Sequence, residues 1–289
     1  MKIQTFSIVV GDERCNAKCP YCVAKMTPDT NVSDVDTINI RNFKKACRFA
    51  QINNISTVLL TGKGEPTLFP EQINTYLSIM QPYDFPFIEL QTNGIKIEEN
   101  PDLLKTWSLM GLSTICISCV HFAKEKNREI YGKNYPALPI IINQATEAGL
   151  SVRLSCIMVK DYVDHWEEVR VFAETAKALG IEQLTFRPVT VPDYVSGGDQ
   201  EKAKEVANWV KKNSVKNYDL TIIKHHLNGE GTELLKLMHG AVVYDYEGQN
   251  VCLTNRLTRS TNEEEIRQLI FYPNGRIAYD WVYEGATLL

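Results

Sequence analysis

The sequence predicts an α/β fold on a parallel sheet, an open or partial (β/α)6 barrel, with a C-terminal β-hairpin and helix extension. Three observations predict it. Short apolar or β-branched runs alternate with amphipathic ones about six times before residue 190. Such alternation implies parallel strands joined by right-handed crossovers. The glycines, small polar residues and arginines that stand out fall at or just after strand ends, where ligand sites of such folds lie. After residue 190 the alternation gives way to turns and hairpins. The expected division is therefore 1–190, a barrel core, and 191–289, an extension capping the barrel.

In order, residues 4–10 read as a strand and lead into a cysteine-bearing loop. Residues 25–39 are polar and irregular. Ile40–Asn53 has helical spacing through Phe43, Ala46, Cys47 and Ala50. Ser56–Leu60, Phe85–Gln91, Thr114–Ser118, Ser151–Val159 and Glu182–Phe186 read as strands. Between them, Pro70–Met80, Pro101–Met110, Pro139–Ala148 and Val163–Leu179 read as helices, three of them stopped by Gly111, Gly149 and Gly180. Val191–Asp199 reads as a loop, Gln200–Lys212 as a helix, Leu220–Lys224 as a strand and Glu233–Met238 as a short helix. Two hairpins close the sequence, Ala241–Thr254 turning at Glu247-Gly248 and Leu269–Asp280 turning at Pro273-Asn274-Gly275.

Composition bounds the function. The 289 residues are 44% hydrophobic and 23% charged, ordinary for a globular chain. A net charge of −4 supplies no global basic field for nucleic acid. No apolar run approaches the roughly 18–20 residues of a membrane span, and the first residues lack a signal-peptide pattern. The eight cysteines form no paired framework, which suggests a reducing, cytoplasmic setting.

Cys15, Cys19 and Cys22 fall in eight residues at spacing C-x3-C-x2-C. Thiolate is a soft ligand suited to iron–sulfur clusters and to zinc. A 4Fe–4S cluster normally takes four cysteines, whereas the next here is Cys47. Three ligands leave one iron open, as catalytic metal sites require. A zinc site is the alternative, but no second cysteine pair and no His-x3-5-His follows.

With Tyr21 just before the third cysteine, the triplet resembles that of the radical S-adenosylmethionine (SAM) superfamily. Thr61-Gly-Lys-Gly64-Glu65-Pro66 resembles its Gly-Gly-Glu-Pro motif, with Gly64 in strict alignment and Lys63 intervening after Gly62. Gln91-Thr92-Asn93-Gly94 is similar to its Thr-Asn-Gly strand end. Ile115-Cys-Ile-Ser118 resembles its Ile-Ser-Leu strand. The resemblance runs over roughly residues 5 to 190 and implies two cofactors, a 4Fe–4S cluster and SAM. It implies that Cys15, Cys19 and Cys22 hold three irons and that SAM chelates the fourth. One-electron cleavage of SAM would then give a 5′-deoxyadenosyl radical that abstracts a hydrogen atom from the substrate, with the protein supplying position and exclusion of water.

On that reading Gly62 and Gly64 let backbone approach the ligand closely. Their carbonyls, with Glu65, face the SAM ammonium, and Pro66 fixes the turn. Thr92, Asn93 and Ser118 suit hydrogen bonds to ribose hydroxyls or the SAM carboxylate, and Tyr21 packs near the adenine. Strand alternation puts Arg153 and Ser155 on one face. A buried arginine needs an anionic partner, either the SAM carboxylate or a core glutamate such as Glu65 or Glu89.

Lys63, His121, Lys160 and Arg187 are candidates for a basic rim around an anionic substrate, the alternative being scattered solvated charge. Cys47, Cys116, Cys119, Cys156 and Cys252 read mostly as buried small apolar residues. Cys252-Leu-Thr-Asn255-Arg256-Leu257 and the hairpin at Gly275 weakly resemble the tail of the radical SAM cyclase that makes the molybdopterin precursor from GTP. That family's further cysteines are absent here, so its auxiliary cluster and its cyclisation do not carry over, while Arg256 and Arg259 remain phosphate-binding candidates. The expected function is hydrogen abstraction from a small anionic molecule such as a nucleotide, with an external one-electron reductant. A peptide or protein substrate, including glycyl-radical activation, comes second. A non-enzymatic iron–sulfur or zinc module is the alternative of another class.

Overall fold

In a computed structural model of the chain, the residues described are 2–29, 37–193, 195, 197–237, 240–254, 265–281 and 283–289. Strand β1 (Lys2–Val9) leads through the cysteine loop to helix α1 (Ile40–Ile52) and strand β2 (Thr57–Thr61). Helix α2 (Pro70–Met80), strand β3 (Phe87–Thr92) and helices α3 (Ile95–Glu99) and α4 (Asp102–Leu109) follow. Next come β4 (Thr114–Cys119), α5 (Lys124–Tyr131), α6 (Leu138–Glu147), β5 (Ser151–Met158), α7 (Trp166–Ala178) and β6 (Gln183–Pro188). The C-terminal part holds α8 (Gln200–Asn213), α9 (Asn217–Glu230), β7 (Thr232–Lys236), β8 (Val242–Tyr246), β9 (Gln249–Leu253), β10 (Glu265–Phe271) and β11 (Ile277–Ala278).

All these strands form one sheet in the order β11-β10-β1-β2-β3-β4-β5-β6-β9-β8-β7. Strands β1 to β6 are parallel and in sequence order, as βαβ crossovers require. The sheet is not closed on itself, so the barrel is partial. The C-terminal strands join both edges: β10 pairs parallel with β1, and β9 pairs parallel with β6. Hairpins then continue the sheet outwards, β10 with β11 and β9 with β8.

Each strand turns one row of side chains to the helices and the other to the lumen. Val58, Leu60, Ile88, Leu90, Ile115 and Ile117 belong to the helix-covered core. The helices bury matching stripes. Helix α1 is capped by Asn39, whose side chain accepts from Asn42 N–H, and buries Phe43, Ala46, Cys47 and Ala50. Phe43 packs on Tyr76 of α2 at 4.8 Å and on Phe271 of β10 at 4.9 Å between ring centroids, which ties the late strand to the early helices.

Two expectations fail in the C-terminal part. Leu220–Lys224 is not a strand but the middle of α9, because Ile223 and Leu227, one turn apart, are the residues it buries. The expected helix at Glu233–Met238 is instead the edge strand β7, paired with β8, with Met238 outside the described residues. Helix α7 starts at Trp166, three residues later than expected. Helices α3 and α5 were not expected. In α5 the buried residues are only Asn127, Ile130 and Tyr131, too narrow a stripe to stand out in Lys124-Glu-Lys-Asn-Arg-Glu.

Candidate active site at the cysteine loop

The loop after β1 carries Cys15, Cys19 and Cys22 across the carboxyl ends of the strands. All eight cysteines are free, and these three border two cavities. One, of about 250 Å³, is lined by the three cysteines together with Tyr21, Gly62, Gly64, Glu65, Pro66, Thr92, Asn93, Ser118 and Arg187. Sequence reasoning missed Gln91, Tyr131, Ile157 and the Pro188–Thr190 segment, which also line it. Strand parity from Ser118 would have found both by register: Cys116, two residues back, pairs with Gln91, and Ser118 pairs with Ser155, two residues before Ile157. The other cavity, about 570 Å³, lies on the far side of the cysteines, against Lys25, Asp29, Asp199 and Lys202.

Glu65 holds this end of the barrel together. Its Oε1 accepts from Thr67 N–H at 3.0 Å, Thr67 Oγ1 at 2.6 Å and Thr92 Oγ1 at 2.6 Å, and its Oε2 accepts from Asn93 N–H at 2.9 Å. Burial raises its pKa, and these four donors oppose the shift. The Gly62–Pro66 and Thr92–Gly94 loops are thereby stapled to each other. Asn93 continues the staple: its amide donates to Asn16 at 2.8 Å and lies 3.8 Å from Cys15 Sγ.

Gly64 serves a close approach, but to the cysteine loop. A Cβ there would sit 2.1 Å from the Arg14 carbonyl oxygen, the atom that accepts from Glu65 N–H at 2.9 Å. On the other side, Tyr21 donates to Tyr131 Oη at 2.8 Å, Tyr131 stacks on Tyr135, and Tyr135 donates to the Ser118 carbonyl at 2.8 Å. An aromatic ladder thus runs from the cysteine loop to the end of β4.

The expected basic rim does not assemble. Lys63 turns to the larger cavity, where its Nζ bonds to Thr27 Oγ1, and burial lowers its pKa to about 8. His121 lies in a separate groove with Phe122, Glu167, Glu168 and Phe172, its Nδ1 accepting from Ala123 N–H at 2.9 Å. Lys160 is exposed, its backbone bonded to Asn213. Arg256 and Arg259 lie outside the described residues. Arg187 alone of these borders the smaller cavity. Arg153 has taken the core-glutamate partner, Glu89 at 2.6 Å, and neither it nor Ser155 is among the residues that line the cavity.

The three thiols fit a polynuclear cluster better than one zinc ion. Their sulfurs do not all lie within 4.8 Å of one another, whereas four thiolates on one tetrahedral zinc stand about 3.8 Å apart. Burial, then the neighbouring Cys22 and Cys15, pushes the Cys19 thiol up to about 12, a shift that a bound metal cation opposes by favouring the thiolate.

Comparison with known proteins decides between these chemistries. The family profile described as "Radical SAM superfamily" matches residues 11–175. The chain belongs to the radical SAM superfamily. Its cofactors are a 4Fe–4S cluster and SAM, and it is an enzyme of that superfamily. It is 28% identical over 153 residues to a GTP 3′,8-cyclase of Aliarcobacter butzleri, covering 51% of this chain and 45% of that protein. It is 25% identical over 215 residues to a 7,8-dihydro-6-hydroxymethylpterin dimethyltransferase of Methanocaldococcus jannaschii, covering 67% and 41%. The chain thus matches only about half, or less, of the length of these relatives. The same fold occurs in Streptococcus suis SuiB bound to S-adenosylmethionine, with TM-score 0.61, 14% identity, and 96% of this chain and 60% of that one covered. It recurs in anSMEcpe with bound AdoMet, with TM-score 0.60, 16% identity, and coverage of 98% and 75%. No helix among the described residues is long and apolar enough to cross a membrane.

Proposed function

We propose that this radical SAM enzyme abstracts a hydrogen atom from a small anionic substrate, a nucleotide or a molecule of similar charge, in the cytoplasm. One observation carries the reading: the cysteines, the two stapled loops and Arg187 border one cavity of about 250 Å³. When bound, the cluster and SAM supply one-electron cleavage of SAM and the hydrogen-abstracting species. Cys15, Cys19 and Cys22 are the proposed iron ligands. Gly62 and Gly64 offer backbone, and Ser118, Asn93 and Tyr21 offer polar and aromatic contacts to SAM. Glu65 acts through Thr92 and Asn93, since its own oxygens are occupied. Pro66, at the start of a 3₁₀ turn, fixes the chain direction behind it. Arg153 and Ser155 support this wall from below.

The weak likeness to GTP 3′,8-cyclases favours a nucleotide-like substrate. A peptide is the second reading, favoured by the fold shared with SuiB, solved with its precursor peptide SuiA. An external one-electron reductant completes the reaction. The test uses anaerobically purified, iron-reconstituted protein with SAM and dithionite. Formation of 5′-deoxyadenosine by the wild type and not by Cys19→Ala is expected. A wild type that assembles neither cluster nor SAM complex would sink the proposal.

A further inference from the structure

Inside the barrel, donors outnumber acceptors along one wall. Glu89, on the lumen face of β3, is committed: its Oε1 accepts from Arg153 at 2.6 Å and from Gln91 at 2.9 Å. Arg187 lies on β6 opposite Ile157 of β5 and keeps part of its surface open to the smaller cavity, and its side chain makes no hydrogen bond or salt bridge among the described residues. Arg153 on the same wall repels it, and Glu89, which attracts it, already accepts from Arg153 and Gln91.

Two hydroxyls flank it. Ser155 sits two residues before Ile157 on the same face of β5, and Thr254 follows β9, its N–H bonded to the Phe186 carbonyl. Their side-chain oxygens are buried and have no hydrogen-bond partner among the described residues, and neither does Arg153 Nε. With Arg187, these groups come from three neighbouring chain segments, and all present hydrogen-bond donors. Buried polar groups are ordinarily paired, and a desolvated guanidinium without an acceptor is costly. A planar fork of N–H groups matches a carboxylate or a phosphate.

We infer that Arg187 anchors one compact anionic group of the substrate, a carboxylate or a phosphate, in the smaller cavity, with the buried hydroxyls of Ser155 and Thr254 behind it. The substrate then enters charge first, with its reacting carbon toward the cysteine end of the cavity. This deepens the proposed function and rests on it. A preference for phosphate would favour the nucleotide-like reading, whereas a carboxylate is carried by small acids and by acidic peptides alike.

The test uses the reconstituted, SAM-loaded protein under anaerobic conditions, with inorganic phosphate and succinate as probes in equilibrium dialysis. The wild type is expected to bind at least one; phosphate alone marks a phosphorylated substrate and succinate alone a carboxylic acid. Arg187→Met should weaken that binding by about tenfold or more, and Arg187→Lys by less. Without probe, Arg187→Met should melt no lower than the wild type, since an unpaired buried cation has been removed, and this establishes that the variant folds. Added probe should raise the melting temperature of the wild type and not of Arg187→Met.

No binding of either probe by the wild type would overturn the inference, as would equal binding by Arg187→Met. Binding abolished by SAM, with SAM affinity falling in Arg187→Met, would also overturn it, assigning Arg187 to the SAM carboxylate. Failure of the underlying reading is distinct: the wild type would then assemble neither cluster nor SAM complex, whatever the probes do.

Discussion

On the β2–β3 side of the barrel mouth, Thr67, Thr92 and Asn93 all donate to Glu65. On the β5–β6–β9 side, Ser155, Thr254 and Arg187 have no acceptor among the described residues. Both walls are polar, and Arg187 of the second borders the same cavity as Thr92 and Asn93 of the first. The first is complete without a ligand and sets the position of two loops. The second is left short of negative charge, which is how a surface looks when part of its hydrogen bonding is reserved for a guest. A polar residue near an active site is therefore read best by asking whether its partners are already present.

Substitutions can break this contrast. The largest effect is expected at Glu65→Ala, which orphans several buried donors at once. It should cost about 3 kcal/mol or more in urea unfolding of the anaerobic protein, and a loss below about 1 kcal/mol would show that the loops are held by other contacts. Gly64→Ala comes next. Its Cβ meets the Arg14 carbonyl at 2.1 Å, so roughly 1–3 kcal/mol should be lost, together with iron content after reconstitution. Retention of full iron would show that the cysteine loop yields easily.

On the other wall the sign should reverse. Ser155→Ala and Thr254→Val each delete an unpartnered buried hydroxyl, so the ligand-free protein should be unchanged or stabilised by up to about 1 kcal/mol. Clear destabilisation by either would mean the hydroxyl already has a partner.

The smallest effect lies outside both walls, at His121. Burial lowers its pKa from the usual 6.5, and nearby Lys126 adds to the shift while Glu168 opposes it. The folded state thus binds fewer protons than the unfolded one between the lowered pKa and 6.5. Stability should rise with pH through that interval and be lost as pH falls through it. His121→Gln should flatten that part of the stability profile, and a profile identical to the wild type would remove His121 as its source.

Much of this was legible in the sequence where the signal is local. The C-x3-C-x2-C loop, Gly64-Glu65-Pro66 and Thr92-Asn93-Gly94 are contiguous, and strands buried on both faces read as apolar runs. What failed depends on direction or distance. Lys63 and Gly64 are adjacent, yet Lys63 reaches the larger cavity while Gly64 borders both. His121 follows Ser118 closely, but Asn127 accepts from Val120 N–H at 2.8 Å and turns the chain away from the lumen. Leu220-Thr-Ile-Ile has β-branched residues in a helix, because one apolar stripe on α9 outweighs local preference. The partnership of β1 with β10 has no local signature at all.

That last pairing sets an order of assembly. Lys2 stands opposite Glu265, so β1 leaves the ribosome long before the strand that covers its outer edge. Closing so long a loop is slow, and in the interval the exposed backbone of β1 is open to pairing with another nascent chain. A chain cut between β9 and β10 would leave that edge bare permanently. The hazard of this architecture falls on its synthesis, and expression yield, more than the melting point of the finished protein, should register damage to β10.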